Sequence, residues 1–150
     1  MIILNYELAE KKIKKIIKEN LNVLANIVNF LYENFDHYNW VGIYLVEGND
    51  LVLGPWRGKQ ATEHTKIPIG KGICGSAAAS GKTEIVYDVN ADERYLSCFV
   101  STKSEIVIPI IKDKKVLGEI DIDSDKKNAF SKKDKFFLEN LADMLSEHIH

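Results

Sequence analysis

The chain has 150 residues, about the length of one compact domain, and its 45% apolar and 28% charged side chains are ordinary globular usage that argues against disorder. Twenty basic and twenty-two acidic residues leave a formal charge of -2, so no net field would gather nucleic acid or an anionic membrane. Two cysteines, Cys74 and Cys98, can build neither a disulfide scaffold nor a four-thiolate zinc site.

Residues 1–5 form too short an apolar run for a secretion signal, and no stretch approaches the roughly 20 apolar residues of a spanning helix. The expected address is a reducing cytoplasm, where both thiols stay free unless chemistry oxidises them. No repeat, low-complexity tract or linker divides the chain, so a single domain over residues 1–150 is expected.

The first third reads helical. From Leu8, the positions Ala9, Ile13, Ile16 and Ile17 recur at helical spacing, and Leu21, Leu24, Ile27, Val28, Leu31 and Phe35 form a second stripe. Asn20 is placed to cap between the two helices. Residues 40–46, rich in aromatic and β-branched side chains, begin a hairpin that runs to Gly54, with its turn at 47–50. A loop of Gly54, Pro55 and Gly58 should close it. Residues 66–69 suit a short strand that Pro68 confines to a sheet edge, residues 75–80 one or two helical turns, and residues 84–87 another short strand.

Two longer strands follow, 105–111 and 116–123, joined by the tight polar connection 112–115, and they should pair antiparallel. Ser131, with Asp134 in capping-box position, opens a last helix whose apolar face is Phe137, Leu138, Leu141, Met144 and Leu145. The expected class is α+β, a central antiparallel sheet flanked by N-terminal and C-terminal helices.

The run Gly70-Lys-Gly-Ile-Cys-Gly75 matches G-x-G-x-x-G by letter, yet Pro68 breaks the strand before it, and hairpins follow where crossover helices should be. Dinucleotide binding is set aside. Residues 54–59 fall short of a P-loop as well.

The carboxylates carry more information. Glu119, Asp121 and Asp123 alternate with Ile120 and Ile122, so all three leave one face of their strand. Hairpin pairing brings Glu105 toward Asp121 and Asp123. Spacing alone leaves two readings: a solvated outer face, or an anionic pocket that grips an ammonium group or keeps one acid protonated by crowding.

Cys74 suits a small buried hydrophobe, whereas Cys98 stands in a polar loop where Arg94 and Lys103 can lower its pKa. Trp40 and Trp56 occur where a ring can serve either the core or a pocket wall. His37 and His64 have no partner at metal-ligand spacing, so no metal site and no cofactor are expected.

Five stretches taken together resemble, in order, the free methionine-R-sulfoxide reductases, which are single GAF domains. They are residues 39–44 (Asn-Trp-Val-Gly-Ile-Tyr), 53–59 (Leu-Gly-Pro-Trp-Arg-Gly-Lys), 67–75 (Ile-Pro-Ile-Gly-Lys-Gly-Ile-Cys-Gly), 104–109 (Ser-Glu-Ile-Val-Ile-Pro) and 118–124 (Gly-Glu-Ile-Asp-Ile-Asp-Ser). The resemblance runs from about residue 20 to the end. It implies a GAF fold, a homodimer, and reduction of free L-methionine (R)-S-oxide through a cysteine sulfenic acid, with a thioredoxin-like or small-thiol reductant. It also implies roles for single residues. Cys98 matches the family's nucleophile; Glu105, Asp121 and Asp123 match the acids that grip the substrate, and Glu105 is also a candidate proton donor. Trp40, with Tyr44 beside it, matches the aromatic wall around the methyl group, and Cys74 matches the cysteine of the glycine-rich run, a possible resolving thiol. A third cysteine common in the family is absent from residues 60–66, so the usual recycling disulfide cannot form, which bears on regeneration and not on the first step. A non-catalytic GAF module that senses a small ligand is the competing expectation, since most GAF domains regulate.

Overall fold

The computed structural model describes residues 5–96 and 99–149; Ser97 and Cys98 lie outside the described residues. Asn5 begins the first helix, its side chain accepting the Leu8 N–H at 2.7 Å. That helix, α1 (Tyr6–Glu19), ends at Asn20, which is left-handed and donates its N–H to the Ile17 carbonyl. Asn20 therefore closes α1, and Asn22 precedes α2 (Val23–Asn34).

Six strands make one antiparallel sheet: β1 (Trp40–Glu47), β2 (Asp50–Gly58), β3 (Lys66–Pro68), β4 (Glu84–Val86), β5 (Ser104–Lys112) and β6 (Lys115–Ser124). Their spatial order is β3-β2-β1-β6-β5-β4. The strand containing Pro68 is at an edge, as a missing N–H donor requires. Helix α3 (Gly72–Ser80) lies between β3 and β4 in the chain, and α4 (Lys132–Leu145) follows the sheet. The expected α+β architecture is present.

One expectation is corrected. Residues 54–58 are strand rather than loop, and β2 runs on to Gly58 opposite Trp40. The register shifts between Gly42 and Tyr44, so Gly54 and Pro55 fall in a bulge, and β3 pairs only with residues 50–52 of β2. Pro55 thus sits where its missing N–H leaves no ladder bond broken.

The sheet is buried on both faces. Val41 and Ile43 of β1, Ile106, Ile108 and Ile110 of β5, and Ile120 and Ile122 of β6 pack against α1, α2 and α4. Removing each such isoleucine from water contributes roughly 1.5–3 kcal/mol. The alternate residues face the other way, where Trp40, Tyr44, Leu51, Ile73, Cys74 and Val107 form a second cluster beneath α3. This second layer converts the opposite face of β6 from a surface into an interior.

A buried carboxylate ties the helical layer together. Asp134 accepts from the Tyr6 hydroxyl at 2.9 Å, the Tyr38 hydroxyl at 2.6 Å and the Ser131 N–H at 2.9 Å, and His37 Nε2 lies 2.9 Å away. The capping box expected at Ser131 is complete, and Asp134 also anchors α1 and the segment before β1. Burial pushes the carboxyl up, but the bonds from His37, Ser131 and Tyr38 outweigh it and hold Asp134 well below the usual carboxylate range.

Asp134→Asn should cost about 2–3 kcal/mol, the scale of hydrogen bonds to a charged acceptor, measured as a lowered denaturant midpoint at neutral pH. A carboxyl depressed in the folded state stabilises above its unfolded value, roughly pH 4, and loses that contribution as the pH falls through its folded value. The gap between wild type and variant should therefore narrow below pH 4.

Candidate functional site

β6 is the spine of the site. Its face toward α3 carries Glu119, Asp121 and Asp123, and the ladder on either side sets what stands next to them. Asp123 lies opposite Glu105 on β5 and Trp40 on β1; Asp121 lies opposite Val107 and Gly42; Glu119 lies opposite Pro109 and Tyr44. The expected register between the two long strands is the one observed.

The solvated-face reading is overturned. Glu105 is 5% exposed, Glu119 0%, and Asp121 and Asp123 4% each, because α3 and the segment after β4 cover that face. Sequence reasoning placed Glu119 on this face but left it out of the site; its alternation with Ile120 was the signal. Both Glu119 oxygens, one Asp121 oxygen and one Asp123 oxygen are buried without a hydrogen bond of ordinary geometry among the described residues.

Four acids in so little water cannot all ionise freely. Burial pushes Glu119 well above the ordinary carboxylate value, and Asp121 beside it adds to the shift. Asp123 is raised by burial and then by Asp121, while its contact with Glu105 pulls it back. Asp121 is raised by burial and partly relieved by Glu105 and Cys74. The set is thus poised to hold at least one proton, and a bound cation would discharge it.

Cys74 enters from the first turn of α3. Its Sγ donates toward Glu105 Oε2 at 3.9 Å, and its exposure is 6%. Burial, followed by the fields of Asp121, Glu119, Glu105 and Asp123, pushes the thiol well above its usual value. Cys74 therefore rests protonated, as the buried reading of it expected. The glycines around it are structural: Gly75 packs so closely that a Cβ there would press on the Pro68 carbonyl, and its own carbonyl accepts the Gly70 N–H at 2.8 Å. The G-x-G-x-x-G spelling serves to seat α3 on β3.

The aromatic side is built on two glycines. Trp40 lies across Gly42 and Gly58, where any Cβ would collide with its indole. Trp56 stacks on it at 6.2 Å between centroids and 11° between planes, and Phe99 tilts against it at 6.1 Å. Sequence reasoning named Trp40 and left Trp56 open between core and pocket; Phe99 was missed, and only its nearness to Cys98 in the chain hinted at it. Tyr44 does not stand beside Trp40. It faces Glu119 and donates its hydroxyl to the His64 carbonyl at 2.7 Å, on the far side of the acids.

Two cavities meet this cluster. One, of about 50 Å³, is lined by Trp40, Lys59, Phe99, Thr102 and Asp123. The other, of about 20 Å³, is lined by Tyr44, His64, Cys74, Leu96, Glu105 and Asp121. Leu96 and Phe99, which bracket Ser97 and Cys98 in the chain, line one cavity each. Cys98 itself is outside the described residues. Arg94, expected to depress its pKa, is instead engaged by Asp92 at 2.8 Å and Glu84 at 3.1 Å.

The fold is that of a GAF domain, and the GAF domain family profile matches residues 20–149. Protein YtsP of Bacillus subtilis is 38% identical over 148 residues, spanning 95% of this chain and 90% of its own. The free methionine-R-sulfoxide reductase of Saccharomyces cerevisiae is 42% identical over 133 residues, 85% of this chain and 73% of its own. The Staphylococcus aureus fRMsr, solved in complex with substrate, superposes with a TM-score of 0.88 at 37% identity, covering 100% of both chains. Within the GAF domains, this chain belongs to the free methionine-R-sulfoxide reductases, a family of oxidoreductases. Among the described residues, no helix is long and apolar enough to cross a membrane.

Acids with raised folded values stabilise the fold only while protonated, so stability should fall as the pH rises above about 4.3, the unfolded glutamate value. Glu119→Gln removes one such group. Its melting temperature should decline less steeply between pH 5 and pH 8 than that of the wild type (a range set by the direction of those shifts). Parallel slopes would mean that Glu119 ionises in the fold without penalty.

Proposed function

We propose that this protein reduces free L-methionine (R)-S-oxide to L-methionine with electrons from thiols. The observation that carries the reading is the buried set Glu105, Asp121 and Asp123 beside the Trp40 ring, an anionic recess next to an apolar wall. A free amino acid brings an ammonium group that peptide-bound methionine lacks. Asp121 and Asp123 hold that ammonium, and Trp40 packs against the S-methyl group. Transfer of the ammonium from water into a site with no compensating anion would be costly, so the recess selects the unattached amino acid.

Chemistry begins at Cys98. Its thiolate attacks the sulfoxide sulfur while Glu105, or an Asp neighbour kept protonated by crowding, gives a proton to the oxygen. An S–S bond forms, the S–O bond of the protonated sulfoxide breaks, and its oxygen leaves as water. Water then attacks the Cys98 sulfur, the S–S bond breaks to release methionine and a proton, and Cys98 is left as a sulfenic acid. A second thiol then attacks that sulfur, water departs, and a disulfide forms. Cys74 is the candidate within the chain. Resting as a thiol among carboxylates, it does not compete for the substrate and becomes reactive once a base in the cluster takes its proton. A thioredoxin-like protein or a small thiol returns both sulfurs to the reduced state. This cycle needs a reducing compartment, in keeping with a cytoplasmic, homodimeric enzyme that recovers oxidised methionine.

A coupled assay with thioredoxin, its reductase and NADPH on the separated epimers of free methionine sulfoxide tests the reading. The R epimer should turn over and the S epimer should not, and Cys98→Ser should be inactive. Activity that survives in Cys98→Ser would remove the nucleophile assignment. Cys74→Ser should complete one turnover and then stall with thioredoxin as reductant; an unchanged steady-state rate would make Cys74 structural only. Asp121→Asn and Asp123→Asn should each raise KM for the free amino acid about tenfold or more, the scale of a lost charge-assisted hydrogen bond.

A further inference from the structure

No pair of histidines stands at metal-ligand spacing in the sequence. The fold assembles a different donor set. A sulfur of Cys74 and single carboxylate oxygens of Glu105 and Asp121 all lie within 4.8 Å of one another, and all three residues are buried. We propose that these three residues bind a thiophilic divalent cation, with Zn²⁺ the representative ion.

Geometry favours it. In a tetrahedral zinc site, bonds of about 2.3 Å to sulfur and about 2.0 Å to oxygen separate neighbouring donors by roughly 3.5 Å. The Cys74 sulfur already stands 3.9 Å from Glu105 Oε2, so a shift of a few tenths of an ångström closes that pair. β-strands hold two of the donors at fixed register and the first turn of α3 holds the third, so little must be ordered on binding. Three protein donors leave the fourth position open, toward the cavity lined by His64 and Leu96 through which an ion can enter.

A second feature points to a ligand at the same place. Glu119 is wholly buried, and neither of its oxygens makes a hydrogen bond of ordinary geometry among the described residues. The Cys74 thiol approaches its carboxyl and favours its anion, which turns Glu119 toward the triad. A buried carboxyl so poorly satisfied costs stability in a fold that uses it for nothing. A divalent cation at the triad supplies what it lacks, a positive charge held beside the carboxyl. Thiolate together with carboxylate selects zinc over magnesium or calcium, which prefer all-oxygen shells. Binding releases the Cys74 proton to solvent and involves no change of oxidation state.

The site can be read by spectroscopy, independently of turnover. Co²⁺ added to reduced Cys98→Ser protein, in which Cys74 is the sole thiol, should give a thiolate-to-cobalt charge-transfer absorption that Zn²⁺ abolishes by displacement. Adding Cys74→Ser should eliminate the band, and adding Asp121→Asn should weaken cobalt binding at least tenfold. A band absent from the Cys98→Ser protein, or one that persists without either cysteine, would overturn the proposal. Should the double cysteine variant fail to fold, the melting temperature decides. Zn²⁺ should raise it in Cys98→Ser and not in Cys98→Ser/Asp121→Asn; equal shifts in both would count against the site. Competitive inhibition of the reductase by Zn²⁺ follows only if the ammonium occupies this cluster, so that consequence rests on the proposed function, whereas the cobalt spectrum does not.

Discussion

Burying carboxylates beside one another is the constraint that orders this molecule. β6 alternates isoleucine with acid, and both sides of the alternation are interior: Ile120 and Ile122 meet the helical layer, while Glu119, Asp121 and Asp123 meet α3. A strand with one wet face would carry such acids at little cost. Here they lose their water, and the rest of the structure must hold them against the penalty. Isoleucine burial on the helical side, the six-stranded sheet with β6 laddered on both sides and the Asp134 anchor of α4 provide the stability that permits a destabilised site.

The two buried acid systems answer to opposite electrostatics. Asp134 receives several donors and sits beside His37, so it stays ionised and acts as a structural rivet. The β6 acids are raised by burial first and by one another second, with few donors to relieve them, and so retain affinity for a proton or a cation. Surroundings, rather than residue type, separate a group that stabilises the fold from groups that do chemistry. In the proposed reaction and at the proposed metal site, this one electrostatic demand would be met in turn by the ammonium of an amino acid, a proton bound for a departing oxygen, or a metal ion.

Shape enters from the opposite wall. Trp40 can lie flat beside the acids because Gly42 and Gly58 present no side chains under its ring, and the bulge at Gly54 and Pro55 lets β2 reach it. Trp56 and Phe99 then fix the indole plane. An apolar wall next to an anionic recess matches a substrate that is a thioether-like chain at one end and an ammonium at the other.

The local rules were legible in the residues themselves. Capping at Ser131, the edge position of Pro68, the hairpin register that sets Glu105 opposite Asp123, and the common face of the β6 acids all follow from neighbours close in sequence, whose geometry is fixed by strand and helix periods. The family was legible too, since five ordered motifs survive as short runs. Whether that acidic face was wet or dry was not, because a period-two pattern defines two sides of a strand and says nothing about what covers them. Only the packing of α3 over the sheet decided it, and with it the inclusion of Glu119 and the approach of Cys74 to Glu105. Those are contacts between segments distant in the chain, and their existence depends on how layers stack rather than on any spacing a sequence can display.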